Sequence, residues 1–433
     1  MSQFKTKPTV LIATTSRWFP TARLALALAN AGCTVEAVCP SRHPIGKTHA
    51  VRQTHTYHGL TPVKSFADAI AATQPDLIVP GDDRATMHLH DLYHRERNRG
   101  EAGASICALI ESSLGASASF PVVLARTTFL ELAHEEGIRV PKSQVIRTAS
   151  DLRDWVTRMG CPTVLKTDRS SGGEGVRIVQ TLEEAEAAFR TLEAPPLLAR
   201  AAKRALIDQD TTLMWPSLLR RRSIVNAQAF VAGREATSLI ACWKGAVLAS
   251  LHFEVLNKEE AGGPSTVLRL TENTEMSVAA EKMIRRLDLS GLHGFDFMLE
   301  AHTGNAYLLE INPRATQIGH LTLGPGRDLP AALYAAVSGE VVQPCAKLTE
   351  NDTIALFPQE WKRNPKSAFL QSGYHDVPWK EPELVRACLR GPRNHRARIS
   401  EKDLIQAFVA AHLPGSGHFL RTISADRLNC EKE

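Results

Sequence analysis

The stretch that decides the fold is residues 294–314, GFDFMLEAHTGNAYLLEINPR. Two apolar runs, residues 295–299 and 306–311, flank a short polar segment that contains His-Thr-Gly-Asn. Aromatic and branched residues on both sides of such a segment are typical of a β-hairpin. Pairing the two runs places Asp296 opposite residues 310–312. The sequence therefore predicts an antiparallel hairpin with polar side chains near its open end.

The polar side chains of this hairpin form a candidate metal site. Side chains alternate along a strand, so Glu310 and Asn312 share one face, and Asp296 lies opposite them. Carboxylate and amide oxygens suit Mg²⁺ (or Mn²⁺), which also binds phosphate oxygens. Arg314 follows as a candidate anion clamp. A solvated or ion-paired cluster is the alternative, but the apolar run around Glu310 predicts burial, and a buried carboxylate requires a partner.

The composition is that of an ordinary globular protein, with 433 residues, 43% hydrophobic content and room for two to four domains. The 51 basic and 46 acidic residues give a net charge of +5, which suits a small anionic substrate. An aromatic content of 6% and the absence of long basic runs argue against nucleic-acid binding. No run reaches membrane-spanning length, no signal peptide precedes the first strand, and the eight cysteines form no CxxC pair. We therefore expect a cytoplasmic protein that binds neither nucleic acid nor membrane.

The first part of the chain alternates between predicted strands and helices. Strands are predicted at residues 8–15, 33–40 and 75–80, and helices at 19–31 and 66–73. This alternation predicts a parallel, doubly wound α/β sheet, without the GxGxxG of a dinucleotide site. Asp82 and Asp83 follow the third strand at the edge where such sheets bind ligands. An N-cap from Asp83 is the alternative role.

The middle of the chain carries further elements. Helices are predicted at residues 125–136, 149–159, 181–193 and 274–287. Residues 224–231 and 236–243 form a predicted hairpin around Ala232-Gly233-Arg234. Residues beyond about 346 are rich in proline and predict a small accessory unit.

A lysine and a glycine-rich loop form a second candidate site. Lys166 ends a predicted strand at residues 162–166, and Gly172, Gly173 and Gly175 follow in a Ser/Gly loop. Glycines let backbone N–H groups approach a phosphate, and an ammonium at the end of an apolar strand requires an anion. No Gly-Lys-Ser/Thr follows, so the loop is not a P-loop. A tight turn is the alternative for the loop, whereas Lys166 favours a nucleotide phosphate.

These features occur in the order found in the ATP-grasp superfamily, which residues 8–345 resemble. The order is the strand with Lys166, the loop SSGGEGV, the segment AQAFVAGRE, Asp296 and the motif EINPR. The resemblance implies an α/β ATP-grasp fold, in which two α+β subdomains clamp ATP, preceded by a Rossmann-like pre-ATP-grasp domain. The implied boundaries are 1–120 for the pre-ATP-grasp domain, 121–345 for the ATP-grasp domain (subdomains 121–222 and 223–345) and 346–433 for a C-terminal accessory region.

The resemblance also implies a role for individual positions. The implied set comprises phosphate contacts from Arg126, Lys166, Gly172, Gly173 and Gly175, an adenine hinge of Gln228, Ala229, Phe230 and Val231, a ribose contact from Glu235, and the Mg²⁺ ligands Asp296, Glu310 and Asn312. Arg314 resembles the arginine that faces the acyl group, because its fork suits a bidentate anion. Lys166 and Arg314 are thus the candidate catalytic residues.

The reaction implied by the resemblance is ATP-dependent activation of a small-molecule carboxylate as an acylphosphate, which an amine or similar nucleophile then attacks. Amino-acid-like substrates are expected. The chain departs from the family at Gln228, where a glutamate is common, and at Gly319, where bicarbonate-using members carry an acid before the histidine. A bicarbonate-using carboxylase or carbamoyl-phosphate-synthase-like enzyme, and a non-catalytic ATP-binding partner protein, are the alternatives. The sequence leaves homodimer formation open.

Overall fold

The computed structural model describes residues 7–167, 175–195, 198, 217–220, 222–260, 263–340 and 346–389. Three β-sheets organise this part of the chain. Of the predicted site residues, Gly172 and Gly173 lie outside the described residues. The mixed α/β architecture confirms the predicted fold class.

The first sheet is parallel and has four strands in the order β3-β2-β1-β4. Its strands are Thr9–Ala13 (β1), Thr34–Cys39 (β2), Val51–Thr56 (β3) and Leu77–Pro80 (β4), and its helices are Pro20–Asn30 (α1), Pro62–Thr73 (α2), Asp83–Arg97 (α3) and Ala104–Leu114 (α4). The doubly wound arrangement was predicted, but β3 was not. Most side chains of this edge strand are exposed and polar, so it carries no apolar pattern.

The second sheet is antiparallel, in the order β5-β8-β6-β7. Its strands are Ser143–Ile146 (β5), Thr163–Thr167 (β6), Val176–Val179 (β7) and Val225–Ala229 (β8), and Phe120–Leu124 (α5), Arg126–Glu135 (α6), Ala149–Met159 (α7) and Leu182–Glu193 (α8) are the helices of this region. Trp155 of α7 and Phe189 of α8 pack on Leu165 and Ala227. One face of β6 and β8 is therefore covered by helices, which leaves the other face for Lys166.

The third sheet has seven strands in the order β13-β12-β9-β10-β11-β14-β15. The strands are Gly233–Trp243 (β9), Ala246–Lys258 (β10), Ser265–Leu270 (β11), Gly291–Glu300 (β12), Ala306–Asn312 (β13), Thr353–Leu356 (β14) and Tyr374–Asp376 (β15). The helices are Thr274–Arg286 (α9), Leu329–Ser338 (α10), Gln359–Arg363 (α11), Phe369–Ser372 (α12) and Pro382–Leu389 (α13). The strands β14 and β15, which come from the predicted accessory region, thus extend this sheet.

The predicted hairpin of residues 224–231 and 236–243 is wrong. The first run becomes β8 and pairs with β5 and β6, whereas the second becomes β9 and pairs with β10 and β12. Gly233 begins β9 so close to its neighbour that a Cβ there would lie 2.0 Å from the Leu299 carbonyl oxygen. Two adjacent apolar runs resemble a hairpin locally, but strand pairing is a non-local choice that spacing does not encode.

The first and third sheets share a hydrophobic core. Val10 and Ile12 of β1 belong to the same buried cluster as Leu239, Phe253 and Phe357 of the third sheet and its following loop. This contact holds the carboxyl edge of the first sheet next to the end of β13. Among the described residues, no helix combines the length and apolarity needed to cross a bilayer.

Candidate active site

The predicted acidic hairpin forms as β12 and β13, with Asp296 directly opposite Glu310. Asn312 lies two residues beyond Glu310 and pairs with Gly294, which has no side chain to compete for the space. The Asn312 Nδ2 group donates to Asp296 Oδ2 at 2.9 Å. The structure therefore brings together all three predicted metal ligands on the outermost pair of strands.

Asp296 carries an electrostatic conflict. Burial, and then the charge of the adjacent Glu310, raise the pKa of its carboxyl group to about 6. Thr237 Oγ1 and Asn312 Nδ2 donate to its two oxygens and oppose the shift. These two hydrogen bonds fix the orientation of the carboxylate.

Glu310 keeps its negative charge because cations surround it. Burial alone would raise the pKa of its carboxyl group, but Arg126 and then Lys166 lower it below its usual range. The Arg126 guanidinium donates to Glu310 Oε2, and it also donates to the Thr167 carbonyl oxygen at 3.2 Å. Arg126 therefore links the end of β6 in the second sheet to β13 in the third.

Lys166 faces this acidic pair from β6. Only 8% of the residue is exposed, and burial lowers the pKa of its ammonium to about 8. Glu310 and Asp296 raise that pKa and Arg126 lowers it, so Lys166 interacts electrostatically with all three groups. A buried cation across from two carboxylates, with its charge only partly compensated, is the arrangement expected of a functional site.

Arg314 lies beside the hairpin and reaches the first sheet. Its Nε donates to Asp83 Oδ1 at 2.8 Å, and its Nη2 lies 3.3 Å from Asn312 Oδ1. Asp83 is the first residue of α3, and the helix is capped instead by Asp82, which accepts from the Ala85 N–H at 2.9 Å. The alternative N-cap role for Asp83 is therefore wrong, and its side chain is directed to Arg314.

The predicted adenine hinge lies partly inside a sheet. Gln228 is buried in β8, where its backbone carbonyl accepts from Thr163 Oγ1, and the Ala229 N–H donates to the Lys142 carbonyl at 2.8 Å. An adenine contact through that N–H would have to displace a sheet hydrogen bond. Phe230 is 38% exposed, and Val231 is half-buried. The ribose candidate Glu235 pairs with Lys258 Nζ at 2.8 Å.

Two histidines near the hairpin lie apart from this cluster. His293 Nε2 donates to the Ser290 carbonyl oxygen at 2.8 Å, and His320 Nε2 pairs with Asp376 Oδ2 at 2.6 Å. Gly175 is described, and its carbonyl accepts from the Thr167 N–H at the base of the glycine-rich loop. Within the described ranges, no group of three or more His, Cys, Asp or Glu side chains could hold a metal, so the candidate site has two carboxylates and one amide.

Comparison with known proteins relates this site to a family. The family model "Carbamoyl-phosphate synthase L chain, ATP binding domain" matches residues 125–322, which include every site residue above except those of the first sheet. The carbamoyl phosphate synthase large chain of Methanoregula boonei is 27% identical over 214 residues, covering 49% of this chain. The match covers only 18% of that relative's length.

Two of the solved structures with a similar fold each cover more than three quarters of this chain. An N5-carboxyaminoimidazole synthase from Aspergillus clavatus, in complex with ADP and 5-aminoimidazole ribonucleotide, has a TM-score of 0.56 at 14% identity and covers 78% of each chain. The resemblance to the ATP-grasp superfamily that the sequence predicts is confirmed by these matches. A biotin carboxylase domain dimer from Hydrogenobacter thermophilus, with MgADP and bicarbonate, has a TM-score of 0.54 at 14% identity, covering 77% of this chain and 70% of that one. At these identities the likeness concerns the fold.

The oxygen-rich donor set of this site fits a divalent cation. Asp296 and Glu310 lie directly opposite each other on β12 and β13, and the charge of Glu310 raises the pKa of Asp296. A dication held between the two carboxylates would offset this repulsion. The Asn312 amide directs its nitrogen to Asp296, so rotation of the amide by half a turn would offer its oxygen to the cation.

The sequence did not indicate the residues that orient these groups. Thr237 of β9 fixes Asp296, and Asn226 of β8 lies directly opposite Lys166, where Thr127 Oγ1 contacts its Oδ1 at 2.8 Å. Because side chains alternate along β8, Asn226 lies on the same face as the predicted Gln228, and this alternation could have identified it from the sequence. The Asp83–Arg314 contact spans 231 positions, and no local pattern indicates it.

Proposed function

We propose that this chain is an ADP-forming, ATP-dependent ligase that activates a small-molecule carboxylate as an acylphosphate for attack by an amine or similar nucleophile. The observation that supports it is the cation pair Lys166 and Arg126 facing the carboxylates Asp296 and Glu310 across two sheets. Phosphoryl transfer requires positive charge on the phosphates and a hard metal held by oxygen ligands. The space between the second and third sheets is lined by cations that could bind phosphates and by carboxylates that could bind a metal.

Each side chain has a defined task in this proposal. Asp296, Glu310 and Asn312 would hold Mg²⁺, which supplies charge neutralisation on the phosphate oxygens when bound. Lys166 and Arg126 bind phosphate oxygens and orient them. Arg314 binds the acyl group through its free edge, because its planar fork suits carboxylate and phosphate.

The nucleotide ends of the site are part of the same proposal. Residues 228–231 would hold adenine, with Phe230 and Val231 as the members not enclosed in the sheet, and Glu235 would bind the ribose after release from Lys258. Gly175 begins the described part of the phosphate loop, whose Gly172 and Gly173 lie outside it. The proposed substrates are amino-acid-like acids and amines, and the proposed site of action is the cytoplasm. A homodimer is proposed by analogy with the biotin carboxylase domain dimer and is tested by light scattering.

The test is an ADP- and phosphate-release screen over amino acids and related acids with amines, followed by mass spectrometry of the products. We expect ADP formation that requires both an acid and an amine. Glu310→Ala should lower the rate at least about 100-fold, because the metal and phosphate charge lose a ligand. Glu300→Ala, on the same hairpin but at its far end, is the matched control and should keep the rate. Full ADP formation by Glu310→Ala would contradict the proposal.

A second candidate is a bicarbonate-using carboxylase. Its support is the fold shared with the biotin carboxylase domain whose structure contains bicarbonate. Gly319 stands before His320 where bicarbonate-using members carry an acid, and His320 is buried against Asp376. ATP hydrolysis that rises with added bicarbonate, in buffer purged of carbon dioxide, would favour this candidate over the amino-acid ligase. Tight ATP binding with no turnover in either screen would favour a non-catalytic partner protein.

A further inference from the structure

The first sheet delivers one carboxylate to the candidate active site. The strand β4 ends at Pro80, and the next turn carries Asp82 and Asp83 into α3. The Asp82 carboxylate is occupied by hydrogen bonds within the first sheet, because its Oδ2 accepts from Thr14 Oγ1 at 2.8 Å and from the Thr15 N–H at 2.6 Å. These bonds hold the turn in place, so the backbone of the next residue, Asp83, is also fixed.

The segment after β13 is clamped to that same turn. The Ala315 N–H donates to the Pro80 carbonyl at 2.9 Å, and Thr86 Oγ1 donates to the Pro313 carbonyl at 2.8 Å. Arg314 lies between these two anchor points, so its backbone has little freedom. Its side chain would still have several rotamers without a partner.

Asp83 supplies that partner and selects which edge of the guanidinium is used. Only Nε of Arg314 makes a short bond, at 2.8 Å to Asp83 Oδ1. The two terminal nitrogens lie 3.3 Å from Ala315 O and from Asn312 Oδ1, which is near the limit for a hydrogen bond. The Nη edge thus stays available for an anion next to the predicted metal ligands.

The Asp83–Arg314 pair is partly exposed. The Asp83 side chain is 35% exposed and that of Arg314 is 19% exposed, so solvent weakens the attraction between them. A short, partly screened contact that joins the first and third sheets beside the predicted metal ligands is suited to orienting the guanidinium.

We propose that Asp83 is a positioning residue, which aims the Nη edge of Arg314 at the acyl group. This rests on the proposed function, because it assigns a task to Asp83 within the same reaction. Asp83 touches no reacting atom and acts through Arg314 alone. Its loss should therefore change turnover rather than nucleotide binding.

The test uses a half-reaction that needs no knowledge of the natural acid. Acetyl phosphate and Mg·ADP give acetate and ATP, the reverse of acyl activation, and the affinity for the fluorescent nucleotide mant-ADP is measured in parallel. Asp83→Asn and Asp83→Ala should lower the rate of ATP formation roughly 10- to 100-fold, because misplacement of one group by about 1 Å has that effect. The mant-ADP affinity should stay within about twofold, since Asp83 binds no nucleotide.

Matched variants distinguish positioning from general damage. Asp83→Glu keeps the charge and should restore part of the rate, and Asp91→Asn, at an exposed carboxylate on the same helix, should keep all of it. Asp83→Ala combined with Arg314→Ala should be no slower than Arg314→Ala alone, since both changes remove one unit. Wild-type turnover in Asp83→Ala, or losses that multiply in the double variant, would overturn the proposal.

Failure of the proposed function gives a different result. A wild-type protein that binds mant-ADP but makes no ATP from acetyl phosphate contradicts the ligase activity. The orientation of Arg314 by Asp83 is then tested by a measurement that does not depend on turnover. The extent to which phenylglyoxal modifies Arg314, measured by peptide mass spectrometry, should differ severalfold between Asp83→Asn and wild type. Arg285, whose side chain is 69% exposed, is the internal control. Equal modification of Arg314 in both proteins would sink the positioning role.

Discussion

Two clusters of buried charge in this chain differ in how completely they are satisfied. The first, Arg23–Asp376–His320, joins α1, β15 and the loop after β13, and its side chains are 10%, 1% and 5% exposed. Arg23 donates to Asp376 Oδ1 and to its carbonyl oxygen, both at 2.6 Å, and His320 contacts the remaining carboxylate oxygen. The second is the candidate active site of Lys166, Arg126, Asp296 and Glu310.

The pKa values express the difference between the two clusters. Burial would raise the pKa of Asp376, but Arg23 and His320 lower it to about 2. In the active site, burial instead raises the pKa of Asp296 to about 6 and lowers that of Lys166 to about 8. In the first cluster ion pairing outweighs burial, whereas for Asp296 and Lys166 of the second cluster burial outweighs it, and a bound metal and phosphate chain would stabilise their charged forms. We infer that the first serves stability and the second serves binding.

The largest expected effect is on stability at the first cluster. Asp376→Ala leaves Arg23 buried without its partner and should lower the free energy of unfolding by about 3–5 kcal/mol. Chemical denaturation of the full chain measures this change. Glu350→Ala, at a carboxylate whose side chain is 82% exposed, is the control and should change stability little. A loss as small as that of the control would mean that ion pairing does not outweigh burial in this cluster.

The second effect is the pH dependence of the same cluster. The folded pKa of Asp376, about 2, lies below its usual 3.8, so its stabilising contribution is complete above pH 3.8 and is lost as the pH falls toward 2. The difference in unfolding free energy between wild type and Asp376→Asn should shrink by about 2 kcal/mol across that window. Denaturation of both proteins between pH 5 and 2, in the same buffer series, gives this difference. A difference independent of pH would refute the assignment.

The third effect should have the opposite sign and is specific to the active site. Lys166→Met removes a buried charge that the nucleotide-free fold stabilises poorly, so we expect the free energy of unfolding to rise by about 1–2 kcal/mol. The same variant should bind Mg·ATP at least about tenfold more weakly, because a phosphate loses its cation. Thermal unfolding and calorimetry measure the two changes. A variant that loses stability would place Lys166 with the first cluster rather than with the active site.

The sequence predicts features that depend on neighbouring residues. The β12–β13 hairpin follows from two alternating runs and a short turn, and its register follows from which side chains are apolar. The assignment of Lys166 to the end of a buried strand is equally local. The roles of Arg126 and residues 228–231 depended on resemblance to a family, and they remain predictions.

The features that escape the sequence are contacts between distant segments. The strands β8 and β9 are neighbours in the chain but belong to different sheets, because their partners are decided by the packing of whole layers. The same applies to Arg23 and Asp376, which lie 353 positions apart. Charge type predicts that a buried carboxylate has a partner, yet it does not say which arginine.

The smallest expected effect tests whether the hydrogen bond from Thr237 orients the Asp296 carboxylate. Thr237 Oγ1 donates to Asp296 Oδ1 at 2.8 Å, and this bond stabilises the charged carboxylate. Thr237→Val keeps the shape and removes the donor, so Mg·ATP affinity should fall by only about 1 kcal/mol, or roughly fivefold. Thr237→Ser keeps the donor and is the matched control, which should bind as wild type does. If Thr237→Val bound Mg·ATP as tightly as Thr237→Ser, the Asp296 orientation would be set by Asn312 alone, and the contrast between the two clusters would rest on fewer groups.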